Sequence, residues 1–81
     1  MNVKVLYFAL ARDMASTRRE EVSVPEGSSV SDLLRSLVSR HPALGKLNGS
    51  IKCSVNLSVV APDTPLTDGD EVGVLPPVAG G

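Results

Sequence analysis

Aromatic side chains are nearly missing from this chain. Tyr7 and Phe8 are the only two, and there is no Trp. A core must therefore be assembled from Val, Leu, Ile and Ala, and stacking platforms for single-stranded nucleic acid are lacking. Charge of one sign is missing too. The net charge is −1, and the one adjacent basic pair, Arg18-Arg19, is followed directly by Glu20-Glu21. No basic stripe offers itself to a phosphate backbone. Cys53 is the single cysteine, which excludes an internal disulfide, zinc finger or iron–sulfur cage built by this chain alone. No apolar run approaches the roughly 18 residues of a membrane span, and Lys4 and Arg12 interrupt the N-terminal stretch without a signal-peptide layout. These absences point to a cytosolic protein, or to an organellar one after processing. Phosphate-cradling glycine loops and a plausible acid–base set are absent as well.

What is present fits one domain of 81 residues. Residues 2–10, NVKVLYFAL, read as a strand, with Val3, Val5 and Tyr7 on one face and Lys4, Leu6 and Phe8 on the other. ARDMAS is a break with room for one helical turn, and residues 17–24 read as a second strand ending at Pro25-Glu26-Gly27. Ser29 with Asp32 three residues on forms a short capping box. The apolar stripe Val30, Leu33, Leu34, Leu37 and Val38 then predicts a helix that stops before Pro42. Residues 43–50 read as a connection rich in turn formers. Ile51, Cys53 and Val55 alternate inward on a third strand, a short strand follows near Ser58 to Val60, and residues 61–70 are loop with a tight turn at Asp68-Gly69-Asp70. Residues 71–77, EVGVLPP, form the last strand and its proline stop. The order predicts an α+β fold, a β-grasp of ubiquitin-like type. A mixed sheet packs on one main helix, with the first and last strands side by side at its centre. The domain is expected over residues 1–75, with residues 76–81 as an extended, projecting C-terminal tail.

That tail, PPVAGG, is apolar to its end. Pro76 and Pro77 fix their φ and favour an extended path, while Gly80 and Gly81 are thin enough to thread a narrow channel. Six extended residues reach at most ~20 Å. The pattern reads as a carboxylate presented on a rigid body. A carboxylate is a poor electrophile until activated, for example as an acyl-adenylate, and nothing in the chain supplies that activation.

Together VKVLYFA (residues 3–9), Arg12, Asn56 after Val55, and PLTDGDEVGVLPPVAGG (residues 65–81) identify a family. In length, order and spacing the chain resembles the small subunits of molybdopterin synthase, sulfur carriers of the ubiquitin-like superfamily. The resemblance implies that an E1-like enzyme uses ATP to adenylate the carboxylate of Gly81, and that a persulfide donor converts it to a thiocarboxylate. It implies further that the tail residues Pro76, Pro77, Val78, Ala79 and Gly80 carry Gly81 into the large synthase subunit. There sulfur passes to cyclic pyranopterin monophosphate, within a heterotetramer. By position, Phe8, Val59 and Leu75 would form the apolar contact with that subunit; bulkier residues are common in the family at the last two. No bound cofactor and no metal are expected, and the active-site chemistry is expected on the large subunit.

Other readings stand beside this one. A related carrier could serve thiamine biosynthesis or tRNA thiolation, a ubiquitin-like tag could end in an isopeptide bond, and a β-grasp interaction module could leave its terminus unused. Cys53 reads as plain core, His41 as a dipole partner at the helix end or an exposed side chain, and Asp68, Asp70 and Glu71 as a solvated acidic turn that could meet a basic patch on the activating enzyme.

Overall fold

The structure, a computed structural model, describes residues 1–47 and 49–77. Chain order is β1 (Asn2–Tyr7), α1 (Leu10–Ala15), β2 (Arg19–Ser23), α2 (Val30–Arg40), a 3-10 helix (Pro42–Leu47), β3 (Lys52–Val55), β4 (Ser58–Val60) and β5 (Glu71–Leu75). The strands form one sheet in the order β2-β1-β5-β3-β4. β1 and β5 run parallel, with Val5 against Val72 and Tyr7 against Val74; the other neighbours are antiparallel. This is the expected β-grasp, and its first and last strands are adjacent as the sequence implied.

Alternation along β1 buries Val3, Val5 and Tyr7, and the same face of the sheet adds Val22, Cys53, Val72 and Val74. α2 covers that face through Val30, Leu33 and Leu37. Its capping box is complete: Ser29 Oγ accepts from the Asp32 amide at 3.2 Å, and Asp32 Oδ2 accepts from the Ser29 amide at 2.9 Å. These bonds satisfy two of the free amides at the helix start. The backbone amide of Ser29 holds the Asp32 carboxyl below the usual carboxylate range, with Arg35 adding to the effect.

Two segments contribute more than the sequence suggested. α1 turns Ala11 and Ala15, one helical turn apart, into the core, where their small side chains permit close approach. Residues 43–50, expected to be a plain connection, instead begin as a 3-10 helix that buries Leu44 completely. Pro42 suits its first position because no amide there needs a partner. Loop residue Leu66 is buried as well, and its amide donates to Ser28 O at 2.9 Å. Among the described residues, no helix is long and apolar enough to cross a membrane.

The acidic turn is built into the fold. Asp68 Oδ1 accepts from the Asn2 amide at 2.7 Å, and Asp70 Oδ2 from the Thr67 amide at 2.7 Å, around Gly69 at φ +86. Asp70 Oδ1 also accepts from Asn56 Nδ2 at 3.0 Å. Charge reversal at Asp68 or Asp70 therefore disturbs the turn as well as any partner's basic patch. Among the described residues, no group of three or more His, Cys, Asp or Glu is placed to hold a metal ion.

Candidate functional site

Among the described residues, no element lies across the sheet face turned away from α2. Strand pairing arranges its side chains in rows. One row runs Arg19, Leu6, Gly73, Ser54, Val59 across all five strands. The next row toward the C-terminal end of β5 carries Leu75 beside Lys52. Phe8 continues β1 there, its amide donating to Val74 O at 3.2 Å. The opposite row is charged, with Lys4 between Glu21 and Glu71. The apolar part of the face thus lies at the end where Pro76 and Pro77 leave the sheet.

Gly73 sets the position of Phe8. A Cβ built on Gly73 would stand 2.5 Å from Ser54 Oγ and 3.1 Å from the Phe8 ring, so the ring lies close over bare backbone of the central strand. Phe8 nonetheless remains 44% exposed and Val59 62% exposed, and Leu75 is half-buried. The backbone after Phe8 is strained: Ala9 has φ 49 and ψ −125, a region that side-chain-bearing residues rarely visit. The three residues assigned to partner contact therefore share one face, spread over about 14 Å from β1 to β4. Beside Leu75, the sheet end opens into a mostly apolar groove lined by Val30, Leu34, Ile51, Pro62, Pro76 and Pro77. The remaining tail residues, Val78, Ala79, Gly80 and Gly81, lie outside the described residues.

Cys53 is buried on the helix side of β3, and burial pushes its thiol up to about 11. A thiol kept protonated is a poor nucleophile, in keeping with its reading as core.

His41 departs from its reading as a dipole partner or exposed side chain. It belongs to a cluster around Glu20. Glu20 Oε2 accepts from the Tyr7 hydroxyl at 2.6 Å and lies 2.7 Å from His41 Nε2, while Arg40 donates to Oε1 at 2.8 Å. The Tyr7 and His41 rings meet edge to face with centroids 5.7 Å apart. Burial alone would raise the Glu20 carboxyl, but the bonds from Tyr7, His41 and Arg40 outweigh it and hold it below its ordinary value. Burial and the bond to Glu20 push the Tyr7 phenol far above its own. The sequence carried one signal for this cluster: Glu20 shares the inward parity of Val22 and Val24. Every member bonds to Glu20, which ties β1 and β2 to the end of α2 and makes the cluster a lock on the fold.

A pH dependence follows from that lock. The folded pKa of Glu20 lies below the unfolded one, so the stability it contributes is present above the ordinary value of 4.5 and is lost as pH falls through the folded value. Glu20→Gln is expected to cost about 1–3 kcal/mol near neutrality. The difference from the parent chain should shrink as pH falls below the ordinary value of 4.5 and through the lower folded value. Urea unfolding at several pH values reads both effects.

Comparison with known proteins places this geometry. The ThiS family model matches residues 5–81. The molybdopterin synthase sulfur carrier subunit of Chlamydomonas reinhardtii is 36% identical, covering 100% of both chains. That of Mycobacterium tuberculosis is 39% identical over 100% of this chain and 99% of its own. Among solved structures, the protein named putative molybdopterin converting factor, subunit 1, of Pyrococcus furiosus superposes with a TM-score of 0.87 at 37% identity, over 96% of this chain and 99% of that one. The small archaeal modifier protein 1 of Methanosarcina acetivorans gives 0.83 at 35%, over 99% and 96%. Subunit 1 of the Helicobacter pylori molybdopterin-converting factor, solved in complex with subunit 2, gives 0.70 at 26% over the full length of both chains.

Proposed function

Because this chain belongs to the ThiS family, with molybdopterin synthase sulfur carrier subunits as relatives along its whole length, we propose that it is the sulfur carrier of a molybdopterin synthase. The observation that carries this reading beyond kinship is the placement of Phe8, Val59 and Leu75. They lie on one open sheet face, at the end from which β5 runs into Pro76 and Pro77. A large subunit gripping that face would take in the tail at the same time.

The chemistry belongs to Gly81. An E1-like enzyme transfers AMP from ATP to its carboxylate and pyrophosphate leaves; the outer sulfur of a persulfide donor displaces AMP to form an acyl disulfide, and a thiol then cleaves its S–S bond, leaving the thiocarboxylate and a disulfide. On the large subunit that sulfur passes to cyclic pyranopterin monophosphate. This chain's own residues bind, orient and deliver, and the exchange is assigned to the cytosol. ATP is consumed by the activating enzyme, and no cofactor is assigned to the carrier.

Mass spectrometry of the C-terminal peptide, after incubation with ATP, an activating enzyme and a persulfide donor, tests the reading. The expected product gains the mass of one oxygen replaced by sulfur on Gly81. A peptide left unchanged under conditions that load a known carrier overturns it. Likeness to the small archaeal modifier protein favours a second use of the same terminus, as a protein tag. High-mass conjugates through Gly81 in cell extract would establish that use.

A further inference from the structure

The hairpin between β3 and β4 turns in two residues, Asn56 and Leu57, inside the pair Val55 and Ser58. Their φ values are 49 and 77. Two-residue hairpin turns with positive φ at both places are made with least strain by Asn-Gly. Asn56 meets that need and is further held, its Oδ1 accepting from the Glu71 amide at 3.0 Å and its Nδ2 donating to Asp70 at 3.0 Å. Leu57 does not meet it. A Cβ in the left-handed region is strained, and at 90% exposure the side chain gains almost no packing from its own chain in return.

An exposed leucine alone signifies little. An exposed leucine kept where glycine would relax the backbone points to use by something outside the fold. The surroundings agree. From Asn56 to Pro62 no residue is charged, so β4, the outermost strand, lacks the charges that commonly guard a free edge. Val59, two residues on, ends at β4 the row that runs from Leu6 through Gly73 and Ser54 on the open face, so Leu57 extends the margin of that same surface.

We propose that Leu57 is an anchor of the docking surface, inserting into an apolar pocket of the large synthase subunit. The proposal rests on the reading of the Phe8, Val59 and Leu75 face as that subunit's contact.

The test uses the full chain and the purified large subunit. Leu57→Gly and Leu57→Asn both remove the apolar side chain while suiting the left-handed turn. Both are expected to unfold at the same or a higher temperature and to bind the large subunit about tenfold more weakly, by titration calorimetry. Phe8→Ala is measured alongside. If Phe8→Ala weakens binding and the Leu57 variants bind as the parent does, the anchor is overturned and the docking face stands. If none of the three weakens binding, the docking face falls and the anchor with it. A lowered unfolding temperature in both Leu57 variants would show that Leu57 serves its own fold, and overturns the proposal. So would a homodimer of the free chain, seen by sedimentation, that Leu57→Gly dissociates.

Discussion

One alanine fused after Gly81 is expected to abolish sulfur loading and cofactor assembly while leaving the unfolding temperature unchanged. The extra residue moves the carboxylate by up to ~3.5 Å and puts a methyl-bearing residue where glycine stood. Misplacement by even ~1 Å at a reacting centre costs on the order of a hundredfold in rate, so at least that loss is expected in thiocarboxylate formation, read by mass spectrometry of the C-terminal peptide. Deleting Gly81 should act in the same direction. An interaction module that never uses its terminus would tolerate both changes, as judged by its partner affinity. An extended carrier that still supports cofactor assembly would refute the proposed chemistry.

The largest expected effect on folding comes from Leu44→Ala. Leu44 is wholly buried in the core, delivered by the 3-10 helix Pro42–Leu47, which packs against both helices. Truncating such a leucine costs about 2–5 kcal/mol, set against a total stability of ~5–15 kcal/mol for ordinary domains. For a domain of this size the unfolding midpoint should fall by roughly 10 °C or more. Lys46→Ala, in the same 3-10 helix but exposed, should change stability by no more than ~0.5 kcal/mol. Thermal unfolding followed by circular dichroism compares the two. Equal, small effects would show that the 3-10 helix is peripheral to the core.

Leu44 also marks where the sequence stopped being informative. α2 was legible because its stripe repeats from Val30 to Val38 and its cap is a local side-chain exchange between Ser29 and Asp32. β1 and β5 were legible because their inward positions alternate, and with them came the β-grasp. Leu44 stands alone among turn formers, and one apolar residue has no period. Its burial is decided by helices that meet only in the folded chain. The Glu20 lock was hidden for a related reason. Tyr7, Glu20, Arg40 and His41 come from three elements, and only an inward-facing acid on β2 hinted at it. The β3–β4 turn escaped because its second residue is Leu57 in place of the expected glycine. The proposed docking residues Phe8, Val59 and Leu75 were assigned through family resemblance. Their common face rests on the register between β1, β5, β3 and β4, which spacing along the chain does not specify.

The position of β5 has a consequence for synthesis. It fills the slot between β1 and β3, yet it leaves the ribosome after every other strand. Until it arrives, β1 and β3 each present an unsatisfied edge, and the nascent chain must wait for a pairing that spans nearly its whole length, the slow kind of contact to close. A copy cut short before Glu71 lacks both the centre of its sheet and the terminus proposed to carry sulfur. Chains cut short in that way are expected to keep open sheet edges and to be readily proteolysed.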